Sequence, residues 1–260
     1  MINFKKFNNI ISLTSYYNSD EKCKQAITEA RWGVGNSQDV VCPYCGKYYC
    51  KMSKNRRYHC TGCNKNFSCL VGTIFENTKL PLIKWFVGMY LISSHKKGVS
   101  SHQLARDIEV TQSTAWYMLQ KIRLLYVQTD ADAFEGTVEC DEVYIGSKEK
   151  WKHKSMRTPN TQGLATLGYT NAFVNHSAEE YADGDIFTNS IEGFWSHFRR
   201  MITGCYHDVS DEHLQKYIDE VVYRWNTRKM SESERFAHMF DKSIGLVKKW
   251  SEIKVGFMAA

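Results

Sequence analysis

Apolar positions recur every three or four residues through most of this chain, which predicts a protein built chiefly from amphipathic helices. Cys23, Ala26, Ile27 and Ala30 mark a short helix over Asp20 to Trp32, with Asn18 or Ser19 available as its cap. From Lys79 onward, Leu82, Trp85, Phe86, Met89, Tyr90 and Ile92 or Ser93 form one apolar face of a core helix. Ser100 with Gln103 makes a capping-box pattern for a helix ending near Glu109, and Thr111 or Gln112 restarts a helix that runs past Arg123. Ile191, Phe194, Trp195, Phe198 and Ile202 make a further stripe. The last clear helix spans Asp211 to Thr227, capped by Ser210 and stapled by Val209 and Leu214, with an apolar stripe of Leu214, Tyr217, Ile218, Val221, Val222 and Trp225. A short helical pattern follows around Phe236 to Phe240.

One stretch breaks this rhythm. Gly136 to Gly146 carries Val138, Cys140, Val143 and Ile145 between two glycines and predicts a strand. Glu139, Asp141 and Glu142 crowd into it, and alternation places Glu139 and Asp141 on one face and Glu142 on the other. Desolvating a carboxylate costs several kcal/mol unless a cation or hydrogen bonds compensate. Two readings stand side by side: a face that holds Mg²⁺, which accepts one or two carboxylates and keeps water and phosphate oxygens around it, or an edge strand with a wet polar face.

Composition narrows the class. With 260 residues, 43% of them hydrophobic and 13% aromatic, the chain can bury a substantial core in more than one domain. A net charge of +6 favours a polyanionic partner without identifying it. No apolar run is long enough to span a bilayer and Met1 to Tyr17 lacks the order of a signal peptide, so the expectation is a cytoplasmic, nucleoid-associated protein with no membrane partner. In such a reducing compartment the nine cysteines read as thiols or metal ligands.

Four of them have ligand spacing. Cys42-Pro-Tyr-Cys45 and Cys60-Thr-Gly-Cys63 are two tight pairs flanking a short hairpin, the arrangement that turns four thiolates toward one tetrahedral Zn²⁺. A site closed by four protein ligands holds the fold and does no chemistry. Cys50 and Cys69 lack a partner at that spacing and read as small buried hydrophobes, and His59 is a weak substitute ligand. Lys51, Lys54, Arg56, Arg57, Tyr58 and Lys65 interleave with the ribbon, either as phosphate contacts or as a solvated hairpin.

The two helices after Ser100, joined by a short turn, have helix-turn-helix spacing. The second would offer Gln112, Ser113, Tyr117, Gln120 and Lys121 to a DNA groove, against the alternative of a purely structural helix pair. Residues 128 to 136 are small and acidic and read as a linker. Ser147 to Gly163 holds six basic residues, counting His153, with one acid and no apolar period, and reads as a loop able to lie on a nucleic-acid backbone or simply in solvent. On the helix of Phe194 and Phe198, Glu192 and Arg199 project within about 20° of each other, with Ser196 and Asn189 slightly further round. They could complete a metal and phosphate site, or form a surface ion pair worth well under ~1 kcal/mol.

These segments together resemble the IS1595-type transposases, whose catalytic part is the ISXO2-like domain, a branch of the DDE transposases. The resemblance rests on the two Cys pairs, Gly72-Thr-Ile-Phe-Glu-Asn-Thr-Lys-Leu-Pro-Leu, Lys96-Lys-Gly-Val-Ser-Ser, Gln112-Ser-Thr-Ala-Trp, Val138-Glu-Cys-Asp-Glu-Val-Tyr-Ile-Gly, Val174-Asn-His-Ser, Thr188-Asn-Ser-Ile-Glu-Gly-Phe-Trp-Ser, and Tyr217-Ile-Asp-Glu with Arg224-Trp-Asn-Thr-Arg. It implies an α+β protein: an N-terminal helical segment (1–37), a zinc ribbon (38–72), a helix-turn-helix region (73–127) and an RNase H-like domain (136–240). It maps Asp141 to the first ligand of catalytic Mg²⁺ or Mn²⁺, Glu192 to the third, with Asn189 as an alternative, and Arg199 to the basic residue seven positions on. The implied partners are double-stranded DNA at the terminal inverted repeats and a second copy of the chain.

One departure stands against these matches. The family's second Asp falls on a later strand, yet Ser147 to Asn175 contains no Asp and Glu149 as its single acid. The interval from Asp141 to Glu192 is too short for two hairpin strands, a crossover helix and a fourth strand of ordinary length. The expectation is a transposase with an internal deletion, catalytically impaired. A non-catalytic zinc-ribbon DNA-binding protein is the alternative.

Overall fold

The computed structural model describes residues 7, 9–33, 40–53, 57–127, 139, 182–183, 186–187, 189–207 and 209–244, in two units, 1–129 with 209–260 and 130–208. Asp141 and the basic loop after it lie outside the described residues.

The first unit begins with α1 (Ile10–Tyr16) and α2 (Asp20–Trp32). Ser19 is the cap of α2, its hydroxyl accepting from Lys22 N–H at 3.4 Å, and Cys23, Ala26 and Ile27 are buried. A three-stranded antiparallel sheet follows in the order β1 (Lys51–Met52), β2 (Arg57–His59), β3 (Asn66–Ser68), registered by Met52 opposite Tyr58 and Tyr58 opposite Phe67. Tyr58 and Phe67 are buried and their rings stack at 5.5 Å, with Trp32 of α2 meeting Tyr58 edge-on. Tyr58 is therefore a packing residue of the ribbon.

The apolar face predicted from Leu82 is realised in α3 (Leu82–Ser94), where Leu82, Trp85, Phe86, Met89, Tyr90, Ile92 and Ser93 are all buried. Its first turn is capped from outside, by Asp20 of α2 accepting from Leu82 N–H at 2.9 Å. Gly88 allows α5 (Gln112–Arg123) to approach, because a Cβ there would sit 2.8 Å from Met118 Sδ. Between them lies α4 (Ser101–Asp107), followed by a short 3₁₀ turn at Leu124–Tyr126 after α5.

The chain after residue 209 packs on these same elements. Helix α7 (Asp211–Asn226) meets α5 and the 3₁₀ turn, while α8 (Glu232–Ser243) lies along α3 with Phe236 and Phe240 against Phe86. Ser231 and Glu234 form a complete capping box at the start of α8. The buried face of α7 differs from the predicted stripe. Lys216, Tyr217, Glu220, Val221, Tyr223 and Arg224 are inside, whereas Leu214, Ile218, Val222 and Trp225 are half-exposed. Ser210 adopts the cap conformation, but its hydroxyl makes no cap hydrogen bond.

The buried polar face is compensated. Glu220 accepts from Arg123 Nε at 2.9 Å and from Arg224 at 2.7 Å, and Arg224 also donates to the carbonyls of His95 and Ile92 at the end of α3. A charge held there without those partners would cost several kcal/mol.

In the second unit, β4 (Ala182–Asp183) and β5 (Ile186–Phe187) pair as an antiparallel hairpin, and α6 (Asn189–Met201) runs into a π-helical turn at Ile202–Tyr206. Phe194, Phe198, Met201 and Ile202 are buried, with Trp195 in ring contact with both phenylalanines. The observed class is helix-rich with small antiparallel sheets.

Candidate metal centre and nucleic-acid interface

The ribbon brings its four cysteines to one point. The sulfur atoms of Cys42, Cys45, Cys60 and Cys63 lie within 4.8 Å of one another, with Cys42 to Cys63 at 3.6 Å and Cys45 to Cys60 at 3.5 Å. Four thiolates at the usual Zn–S length of about 2.3 Å sit about 3.8 Å apart at the corners of a tetrahedron, so the spacing fits zinc. Local backbone supports the knuckles: Cys42 N–H donates to Lys47 O, Cys60 N–H donates to Lys65 O, and Gly46 takes a φ of 72° to turn the first pair. The backbone N–H of Cys63 draws the Cys60 thiol down to about 6; burial opposes this, and the N–H of Gly62, 3.3 Å from the sulfur, reinforces it. Cys50 and Cys69 are buried and outside the set of four, Cys50 lying beside Cys60 with its thiol donating to Lys47 O at 3.6 Å. His59 instead bonds Asn66 across the hairpin at 2.9 Å.

The ribbon is tethered to α2 by Arg31, whose guanidinium donates to Cys69 O at 2.7 Å and to Val71 O while lying 4.4 Å over the Trp32 ring. Outward, Lys51, Arg57 and Lys65 are exposed, leaving cations available to a polyanion.

The helix pair α4 and α5 has the predicted layout. Ser100 accepts from Gln103 N–H, Thr111 accepts from Thr114 N–H, and Glu109 takes the left-handed φ of 52° in the turn between them. The capping box at Ser100 is half-made, because the Gln103 side chain engages Arg106 and Asp107. Of the groove candidates, Gln112 and Ser113 are exposed at the start of α5 and Tyr117 is partly exposed. Lys121 is not on that surface. It is 6% exposed, donates to Ile74 O at 2.9 Å and lies 5.2 Å over the Tyr117 ring. Burial lowers the pKa of its ammonium, with Glu76 opposing. Gln120 is fully buried as well.

In the second unit, Asn189, Glu192 and Arg199 are exposed on α6. Glu192 and Arg199 share a face, separated along the axis by about 10.5 Å, two turns. The periodicity of α6 gave no sign of a further contact: Glu139 accepts from the backbone N–H of Ile191 at 2.8 Å. A carboxylate thus caps the first turn of the helix that carries Glu192, where the helix dipole favours negative charge. Among the described residues, the four cysteines form the one metal-binding cluster, and the acidic side chains form none.

Comparison with known proteins places two segments. Residues 18–66 match the transposase zinc-ribbon domain and residues 159–226 match the ISXO2-like transposase domain, both of the IS1595 type. The first contains all four cysteine ligands; the second contains Asn189, Glu192 and Arg199, and Asp141 lies between the two. An uncharacterized protein in transposable element ISH50 of Halobacterium salinarum is 28% identical over 154 residues, which is 58% of this chain and 50% of that relative. The chain thus spans about half the length of the relative it matches. No solved structure matches. Over these two segments the chain is similar to the zinc-ribbon and ISXO2-like domains of the IS1595-type transposases.

Proposed function

We propose that this protein recognises double-stranded DNA at the terminal inverted repeats of an insertion sequence and is impaired in the cleavage and strand transfer that a DDE transposase performs there. Recognition rests on the first unit: Gln112, Ser113 and Tyr117 face the groove, while Lys51, Arg57 and Lys65 of the ribbon meet backbone phosphates. Cys42, Cys45, Cys60 and Cys63 hold structural zinc.

The second unit is read as an RNase H-like catalytic part. In the extended strand that the sequence predicts here, Glu139 and Asp141 would share a face. The bond from Ile191 N–H to Glu139 brings residue 139 to the start of α6, one residue from Glu192, which supports Asp141 and Glu192 as one site. Divalent ions bound there would activate an attacking oxygen and stabilise a leaving one. The residues present fit that pair of ions incompletely. Glu139 is committed to the helix end, and no Asp stands between Ser147 and Asn175 to serve as the second ligand.

The observation that carries the reading is the lack of any Asp from Ser147 to Asn175, a stretch that runs into the part of the chain, 159–226, matched to the transposase domain. An element-end duplex, end-labelled and incubated with the protein in Mg²⁺ or Mn²⁺, tests it. The expected result is a retarded but uncut duplex, with Asp141→Ala binding as tightly as the parent. Metal-dependent cleavage that disappears in Asp141→Ala would overturn the impairment.

A further inference from the structure

The zinc ribbon displays aromatic surface that the fold does not use. Tyr44, Tyr48, Tyr49 and Met52 are 50%, 58%, 69% and 54% exposed and fall within nine consecutive residues at its tip. Elsewhere the ribbon buries its aromatics efficiently, with Tyr58 and Phe67 stacked inside. Tyr44 is partly occupied, its ring under the Lys65 ammonium at 4.8 Å and edge-on to Phe67. Tyr48 and Tyr49 remain exposed, flanked along the chain by exposed Lys47 and Lys51. Tyr49 is held there at a φ of 64°, a conformation uncommon for a residue with a Cβ.

Rings projecting into water between cations are what unpaired bases need: a π-face to stack on and positive charge beside the backbone. A paired duplex hides its base faces and would use the cations alone. We propose that the ribbon binds single-stranded DNA by stacking unpaired bases on Tyr48 and Tyr49 while Lys47 and Lys51 hold the adjoining phosphates. This goes beyond duplex recognition by α5 and can hold or fail independently of it.

Fluorescence anisotropy on the zinc-loaded full chain tests the proposal, using a labelled twenty-nucleotide oligo-dT and, in parallel, a duplex carrying the element end. Tyr48→Ala and Tyr49→Ala should each weaken oligo-dT binding about tenfold, the order expected for loss of one base–aromatic stack. Tyr48→Phe should retain it and Tyr48→Leu should not, because a ring and not mere apolar bulk is required. Duplex affinity should stay within about twofold, and zinc content should be unchanged in every variant. If Tyr49→Ala releases zinc, the Tyr48 series decides alone. Oligo-dT affinity unmoved by the Tyr48 substitutions would overturn the proposal, as would equal losses on oligo-dT and duplex. Self-association of the parent that Tyr48→Ala abolishes, without oligo-dT binding, would assign the rings to a protein interface instead.

Discussion

Arg123 on α5 and Glu220 on α7 meet at 2.9 Å with both side chains 2% exposed, joining residues on opposite sides of the second unit in sequence. Arg224 completes the set, so that one carboxylate lies between two guanidinium groups. Glu220→Gln keeps the shape and removes the charge. It should cost about 3–5 kcal/mol of stability, because two buried cations lose their counter-charge. Denaturant unfolding followed by circular dichroism measures this, and a loss under ~1 kcal/mol would mean the network is already solvated.

The same carboxylate sets an acid limit. Burial alone would raise its pKa, but Arg224 and Arg123 more than offset that and hold it below the ordinary glutamate value. A depressed folded-state pKa contributes stability above the unfolded value, about 4.3, and loses it as pH falls from there through the folded value. Parent stability should therefore decline below about pH 4.3, and Glu220→Gln should show a shallower decline over that range. Equal slopes for the two proteins would remove Glu220 from the acid response.

Zinc content is the second quantity at stake. The parent should carry about one equivalent. Cys60→Ser should lose it, along with the protection of the β1–β3 amides against hydrogen exchange, since the metal supplies most of a small ribbon's folding energy. Full metal content in that variant, by mass spectrometry under native conditions, would refute the four-cysteine assignment.

Under the proposed function, helix α5 separates recognition from support. Gln112→Ala or Ser113→Ala should weaken binding to an element end by about 1–3 kcal/mol wherever a base contact is lost, with stability unchanged. Lys121→Met should behave oppositely. Its ammonium satisfies Ile74 O, so the cost is about 1–3 kcal/mol in folding. Intrinsic DNA affinity of its folded fraction should not change. Gel-shift titrations beside melting curves distinguish the two patterns.

A fragment ending at residue 130 retains the ribbon and the helix pair but loses α7 and α8. Arg123 would then lack Glu220, and Phe86 would lack Phe236 and Phe240. Such a fragment should be destabilised, with weak amide protection in α3 and α5 and a broad thermal transition. Cooperative unfolding at the parent's midpoint would show those helices to be dispensable.

The parts of this structure that were legible in the sequence are those whose physics is local. The buried set of α3 follows from its spacing because the compensating atoms are its own apolar side chains. The knuckles follow because four thiols at fixed intervals have few other uses. The inner face of α7 was not legible, since Glu220 and Arg224 look solvent-bound until Arg123, His95 and Ile92 are brought to them. Lys121 misled for the same reason: the carbonyl that accepts from it is 47 positions away. Glu139 was placed on a strand face with Asp141, and nothing in the spacing showed that it would close the end of α6. Asp141 itself lies outside the described residues, so its part in the site rests on the motif around it.

Because 130–208 forms a unit of its own between two stretches of the first, a deletion confined to that interval removes no residue from the ribbon, the helix pair or their supporting helices. In a mobile element this layout makes loss asymmetric. Under the proposed function, lesions in the middle of the gene would erase catalysis and spare occupancy of the DNA ends, whereas a premature stop codon, by removing α7 and α8, would compromise both. On that same reading, a polypeptide of the first kind would compete with intact copies for the same ends and restrain the element.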